Sequence, residues 1–110
     1  MTITALPPPM VVDVLGTEIS VHGEVDIATA PLLRSALAGA VAMGARLTVD
    51  LAGVTFMDAA GVGVLAGAAT LARRVGGDLV LRDPSRPTLR VLDLTRLLDA
   101  MAIETTGPRA

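Results

Sequence analysis

Val54-Thr55-Phe56-Met57-Asp58-Ala59-Ala60-Gly61-Val62-Gly63-Val64 reads as a strand that delivers an acidic residue and two glycines to the first turn of a helix. A helix start presents unpaired backbone N–H groups and the positive end of the macrodipole, so it is a natural place to bind or carry an anion. The two residues after Asp58 are both alanine. No hydroxyl, thiol or imidazole stands there to do chemistry, and Asp58 itself fits an N-terminal cap or a first-turn acid.

On either side of this junction the pattern alternates between strand and helix. Met10 to Leu15 is a β-rich run, Gly16-Thr17 a turn, and Glu18 to His22 alternates so that Ile19 and Val21 share a face, which together predict a hairpin. Asp26 and Thr29 precede Pro31. Leu33, Ala36, Leu37, Ala40 and Val41 then recur at helical spacing up to Gly44, predicting a capped helix over residues 30–43. Leu47, Val49 and Leu51 alternate with Thr48 and Asp50 as a third strand. A second helix follows from Gly61 to Val75, with apolar residues at 62, 65, 69 and 72 and a stop at Gly76-Gly77. Residues 78–82 predict a fourth strand, 84–98 a helical stretch and 102–105 a short last strand. The whole reads as an α/β fold: a mixed, mainly parallel sheet with an opening hairpin and helices packed on it.

At 110 residues and 52% apolar composition the chain has the size of one compact domain. Residues 1–9, with Pro7-Pro8-Pro9, read as an extended arm, and the domain as residues 10–110. Net charge is −2, and the nine cations are all Arg and scattered, so there is no basic field for nucleic acid. With no Cys and only His22 as a histidine, no disulfide framework, thiolate metal site or metal cofactor is expected. Mean hydropathy is high at +0.64, yet no run of 18 apolar residues free of Asp, Glu and Arg occurs, so no membrane span is expected. The N-terminus has no signal-peptide pattern, and the chain reads as cytoplasmic. Phe56 is the sole aromatic. It is assigned to an otherwise aliphatic core, where its removal would leave a large hole.

Several side chains have simple structural readings. His22 belongs on the outward face of its strand. Arg86 and Arg90, four apart, form a solvated face. Gly63 and Gly67 let the second helix approach the sheet or a protein partner closely. Gly61-Val62-Gly63-Val64-Leu65-Ala66, with Asp83 further on, fits a dinucleotide-binding fingerprint. It is set aside because Leu51 lies ten residues before Gly61 and because the chain is too short for the second half of that fold. The absence of any Lys excludes a receiver-type phosphoacceptor at Asp58 and a Walker A loop.

From Gly23-Glu24-Val25-Asp26-Ile27-Ala28-Thr29-Ala30-Pro31, through Leu47 to Asp58, and on to Leu92-Asp93-Leu94-Thr95, the chain resembles the STAS domains. Within them it resembles the bacterial anti-sigma factor antagonists, over about residues 10–105. The resemblance implies a non-enzymatic protein without cofactors that binds an anti-sigma factor of kinase-type ATPase fold and frees its sigma factor. In that family a serine at the start of the second helix, in Asp-Ser-Ser-Gly, accepts phosphate and switches binding off. Here the motif reads Asp58-Ala59-Ala60-Gly61, so the phosphoacceptor position falls on Ala59, which takes no phosphate. Thr55 is no substitute, since alternation places it on a strand.

The resemblance further implies a partner surface containing Asp26, Thr29, Asp58, Ala59, Ala60, Gly61 and Val62. An alternative within the same fold is a scaffold or accessory subunit of a stress-signalling or lipid-transport complex. Family members continue into a C-terminal helix, for which residues 106–110 leave no room. The sheet is therefore expected to expose a face normally covered and, if that face is apolar, to self-associate.

Overall fold

The computed structural model describes residues 8–106. Most of the proline-rich arm and the last four residues lie outside that range. β1 (Met10–Leu15) and β2 (Glu18–Val25) form the hairpin, turning at Gly16, whose φ of +60° suits a residue without a Cβ. There follow α1 (Ala30–Val41), β3 (Arg46–Met57), α2 (Ala59–Arg74), β4 (Asp78–Arg82), α3 (Arg86–Leu94), a 3-10 turn at Leu98–Ala100 and β5 (Ala102–Glu104).

The strands lie in the order β1-β2-β3-β4-β5, antiparallel in the first pair and parallel thereafter. Each parallel crossover steps one strand in the same direction. Right-handed connections of that kind put all three helices on one face of the sheet. The core lies between them. Ile19, Val21, Leu47, Val49, Leu51, Leu79 and Leu81 from the strands meet Leu33, Leu37, Val62, Leu65 and Leu92 from the helices, all at most 1% exposed. Each such aliphatic side chain contributes about 1.5–3 kcal/mol by leaving water.

Across its central strands the opposite face of the sheet is mostly polar. It carries the rows Glu18, Thr48 and Val80, and Ser20, Asp50 and Arg82, with Arg82 paired to Glu18 at 3.2 Å. Val80 is covered within this row rather than left as an apolar patch. The outer face is thus mixed: Val11 and Leu15 of β1, opposite His22 and Glu18, are exposed apolar residues beside these polar rows. His22 is exposed on its strand.

Several boundaries move. β3 does not stop at Leu51 but runs to Met57, and α2 begins at Ala59 rather than Gly61. α3 is shorter than the expected stretch over 84–98. Arg96 takes a left-handed conformation at φ +60°, and the Leu97 N–H closes back on the Leu92 carbonyl at 2.9 Å, a capping geometry that ends a helix.

The largest correction concerns Phe56, which is 46% exposed and not a core residue. Its cause is the register of β3 against β2. Ser20 pairs with Asp50 but His22 with Gly53, and Gly23 pairs with Val54 but Glu24 with Phe56. At each step β3 inserts one extra residue, a bulge that reverses which face the next side chain takes. The buried residues of β3 accordingly run 47, 49, 51, then 54, then 57, while those of β2 stay on odd numbers throughout. Alternation counted on from Val54 puts Phe56 inside; the second insertion puts Met57 there in its place.

Candidate functional site

β2 and β3 are parallel neighbours that end in register, Val25 opposite Met57, so the loops leaving them start side by side. The Asp58 N–H donates to the Val25 carbonyl at 3.2 Å and ties the two exits together. The β2–α1 loop holds Asp26 and Thr29; the β3–α2 junction holds Asp58 to Val62.

Asp26 organises its loop through its carboxylate. Oδ1 accepts from the N–H groups of Ala28 and Thr29, both at 3.0 Å. In return the Asp26 N–H donates to the Thr29 hydroxyl at 2.9 Å, and that hydroxyl donates to the Glu24 carbonyl at 2.9 Å. The Thr29 N–H, more than any other donor, holds the Asp26 carboxyl below the ordinary carboxylate range, against the opposing effect of desolvation. Thr29, not Asp26, occupies the N-cap position of α1, with Pro31 in the first turn. Asp26 thus shapes the loop before the helix rather than capping the helix itself. Ile27, at its tip, is 79% exposed.

Asp58 is the N-cap of α2, in extended conformation, and its Oδ1 accepts from the Gly61 N–H at 3.1 Å. Ala59 follows as the first helical residue and is exposed; Ala60 is half-buried. Gly61 is buried because the helix start sits directly on the strand ends. A Cβ at Gly61 would run into the Met57 sulfur and the Val25 side chain, so this is the glycine that brings α2 onto the sheet. Gly63 and Gly67 do not: both face away from it, with nothing within 4 Å of an added Cβ. Val62 is fully buried. Its side chain is closed off from solvent and anchors the helix start to the core.

Two exposed apolar residues flank these loops that sequence reasoning missed. Phe56 stands beside Arg86, Pro87 and Arg90 around a cleft between β3 and α3, and Ile27 stands over the other loop. The second bulge hides Phe56 from alternation counted on from Val54; Ile27 lay in the quoted loop and was readable as an apolar residue outside any element. Arg86 and Arg90 are exposed as expected, though they flank this cleft.

Of the two reasons set against the dinucleotide reading, one falls away and a structural one takes its place. β3 runs to Met57, so the distance from strand to glycine is not the obstacle. Gly61 and Gly63 lie within helical turns and form no loop to cradle a pyrophosphate, and Asp83 accepts from the N–H and hydroxyl of Thr106, at 2.7 and 2.5 Å. Among the described residues there is no group of three or more metal-ligating side chains, and no helix is long and apolar enough to cross a membrane.

The profile of the STAS domain matches residues 10–110. The chain belongs to the STAS domain family. The anti-sigma-B factor antagonist of Bacillus subtilis (strain 168) is 35% identical to this STAS domain over 86 residues, 78% of this chain and 79% of that protein. Among solved structures, an anti-sigma factor antagonist from Mycobacterium paratuberculosis is similar with a TM-score of 0.69 and 31% identity, over 88% of this chain and 85% of that one. The anti-sigma factor antagonist SpoIIAA in its unphosphorylated form shares the fold at a TM-score of 0.70 and 19% identity, over 89% and 88% of the two chains. This STAS domain is accordingly a regulatory module and not an enzyme.

Proposed function

We propose that this chain is an anti-sigma factor antagonist that binds an anti-sigma factor of kinase-type ATPase fold and frees its sigma factor, with no phosphorylation switch at the start of α2. The observation that carries the reading is the pairing of the two loops. Asp26 and Thr29 on one side and Asp58 to Ala60 on the other form one edge, half-buried except at the exposed Ala59, and a methyl group stands there at the position where antagonists of this type carry the acceptor serine. A phosphate there would add roughly −2 charge at the centre of the contact. Alanine leaves the surface in its binding-competent form at all times. Ile27 and Phe56 supply exposed apolar area beside the two acids, the mixture of anchor and rim that protein interfaces use.

The test is to mix the chain with the candidate anti-sigma kinases of the same genome and Mg-ATP, then separate the species by gel filtration with intact-mass detection. A stable complex whose STAS chain carries no phosphate is expected. A phosphorylated chain would place an acceptor elsewhere and overturn the inert switch. No complex with any kinase would favour a scaffold or accessory subunit on the same fold.

A further inference from the structure

Away from the loop pair, α1 and α2 enclose a groove of about 370 Å³. Its floor is aliphatic: Leu37 and Val41 from α1, Val64 and Ala68 from α2, none more than 8% exposed. Along its α2 side, Gly63 and Gly67 present bare backbone, with open space where a Cβ would stand, and Leu71 is 47% exposed. Glycine inside a helix costs about 1 kcal/mol relative to alanine. Nothing within the described fold packs against these two.

Both ends of the groove are cationic. α1 and α2 each return from one parallel strand to the start of the next, so the two helices run in the same direction. Arg34 lies early in α1 and Arg74 is the last residue of α2, which sets them at opposite ends. From Gly63 to Arg74 the helix axis advances roughly 16 Å. Both arginines are exposed, and neither has an ion pair or side-chain hydrogen bond among the described residues. A single-headed amphiphile would neutralise one guanidinium and lay its tail against the other. A helix with an acid toward each end satisfies both.

We infer that the α1/α2 groove docks an amphipathic partner helix of about three turns, with apolar residues on the aliphatic floor and acidic residues opposite Arg34 and Arg74. The bare backbone at Gly63 and Gly67 lets that helix come closer than side chains would allow. This surface is distinct from the paired loops and does not depend on the anti-sigma partner proposed for them.

The test uses the whole chain, ¹⁵N-labelled, and two synthetic helical peptides of about 16 residues that share one Leu/Ala face. One carries Glu toward both ends of that face, the other Lys. The Glu peptide is expected to shift amides of α1 and α2 only, and to bind roughly tenfold more tightly than the Lys peptide. The double variant R34E/R74E should reverse that preference, and Gly67→Leu, which fills the groove while favouring the helix, should abolish binding of either peptide. Equal binding of both peptides, shifts centred on residues 26–29 and 58–61, or binding of neither would overturn the inference. Saturable binding of dodecanoate but of neither peptide would reassign the groove to an anionic amphiphile. Dimerisation in sedimentation that Gly67→Leu removes, without peptide binding, would reassign it to a second copy of the chain.

Discussion

In the first part of β3, Arg46–Asp50, every residue pairs with β4 and Thr48, Val49 and Asp50 pair with β2 as well, whereas Leu51–Met57 keeps only β2 as a strand neighbour. In the first part the side chains alternate without interruption, and Leu47 and Val49 are fully buried. The second part contains both inserted residues, turns Thr55 and Phe56 outward, and delivers Asp58 to the helix start. Pairing on two edges holds a register that admits no extra residue; pairing on one edge leaves room for bulges, and bulges re-aim side chains. One continuous strand thus serves as core at one end and as a surface-building element at the other.

Truncation is the strongest way to break that contrast. Leu51→Ala, at the point where the core alternation ends, is expected to cost about 2–5 kcal/mol, while Phe56→Ala, a larger deletion on the bulged part, costs less than about 1 kcal/mol. Urea unfolding followed by far-UV circular dichroism measures both; equal losses would mean that Phe56 is core after all. Next in size, Gly61→Ala forces a methyl group between Met57 and Val25, and a loss of about 1–3 kcal/mol is expected. If thermal denaturation shows no change there, α2 is free to lift off the strand ends.

Asp58→Ala removes the acceptor for the Gly61 N–H and is expected to lower stability by about 1 kcal/mol, with Asp58→Asn recovering most of it. A partner-binding assay on the two variants separates the cap from the contact, since only the charge differs when the cap is kept. The smallest effect is on pH dependence. The Asp26 carboxyl titrates below its ordinary value in the folded protein, so its contribution is present above about pH 4 and is lost as pH falls through the lowered folded value. A ¹³C-carboxyl titration should show that depression, and Thr29→Val, which removes the hydroxyl but keeps the N–H, should diminish it without abolishing it. An Asp26 titration at the ordinary carboxylate value would contradict the loop network.

Much of this was legible in the residues. The spacing of Leu33, Ala36, Leu37, Ala40 and Val41, and of Val62, Leu65, Ala69 and Ala72, locates two helices and their inward faces, and all of these except the half-buried Ala36 are buried. The hairpin follows from Gly16-Thr17. Asp58 as a cap follows from an acid three residues before a helical N–H. The length of β3 and the exposure of Phe56 did not follow, because period-2 reasoning assumes a fixed register and a bulge is a property of two strands together. Gly53 and the three-residue spacing of Val54 and Met57 are the only marks it leaves in one sequence. The early end of α3 escaped for a similar reason: the left-handed turn there falls on Arg96, a residue type that gives no warning of it. Within the surface itself, the acids could be read directly, whereas the burial of Val62 depends on how α2 is rotated on the sheet.

Because β3 turns its lone aromatic ring to the outside, the protein carries a built-in probe. The proton spectrum of the chain contains one phenyl spin system, and Phe56 places it beside the loops where docking is proposed. Against a perdeuterated binding partner those few resonances stand alone, and a fluorine at the ring's para position would follow occupancy of the loop edge in crude mixtures without any added tag.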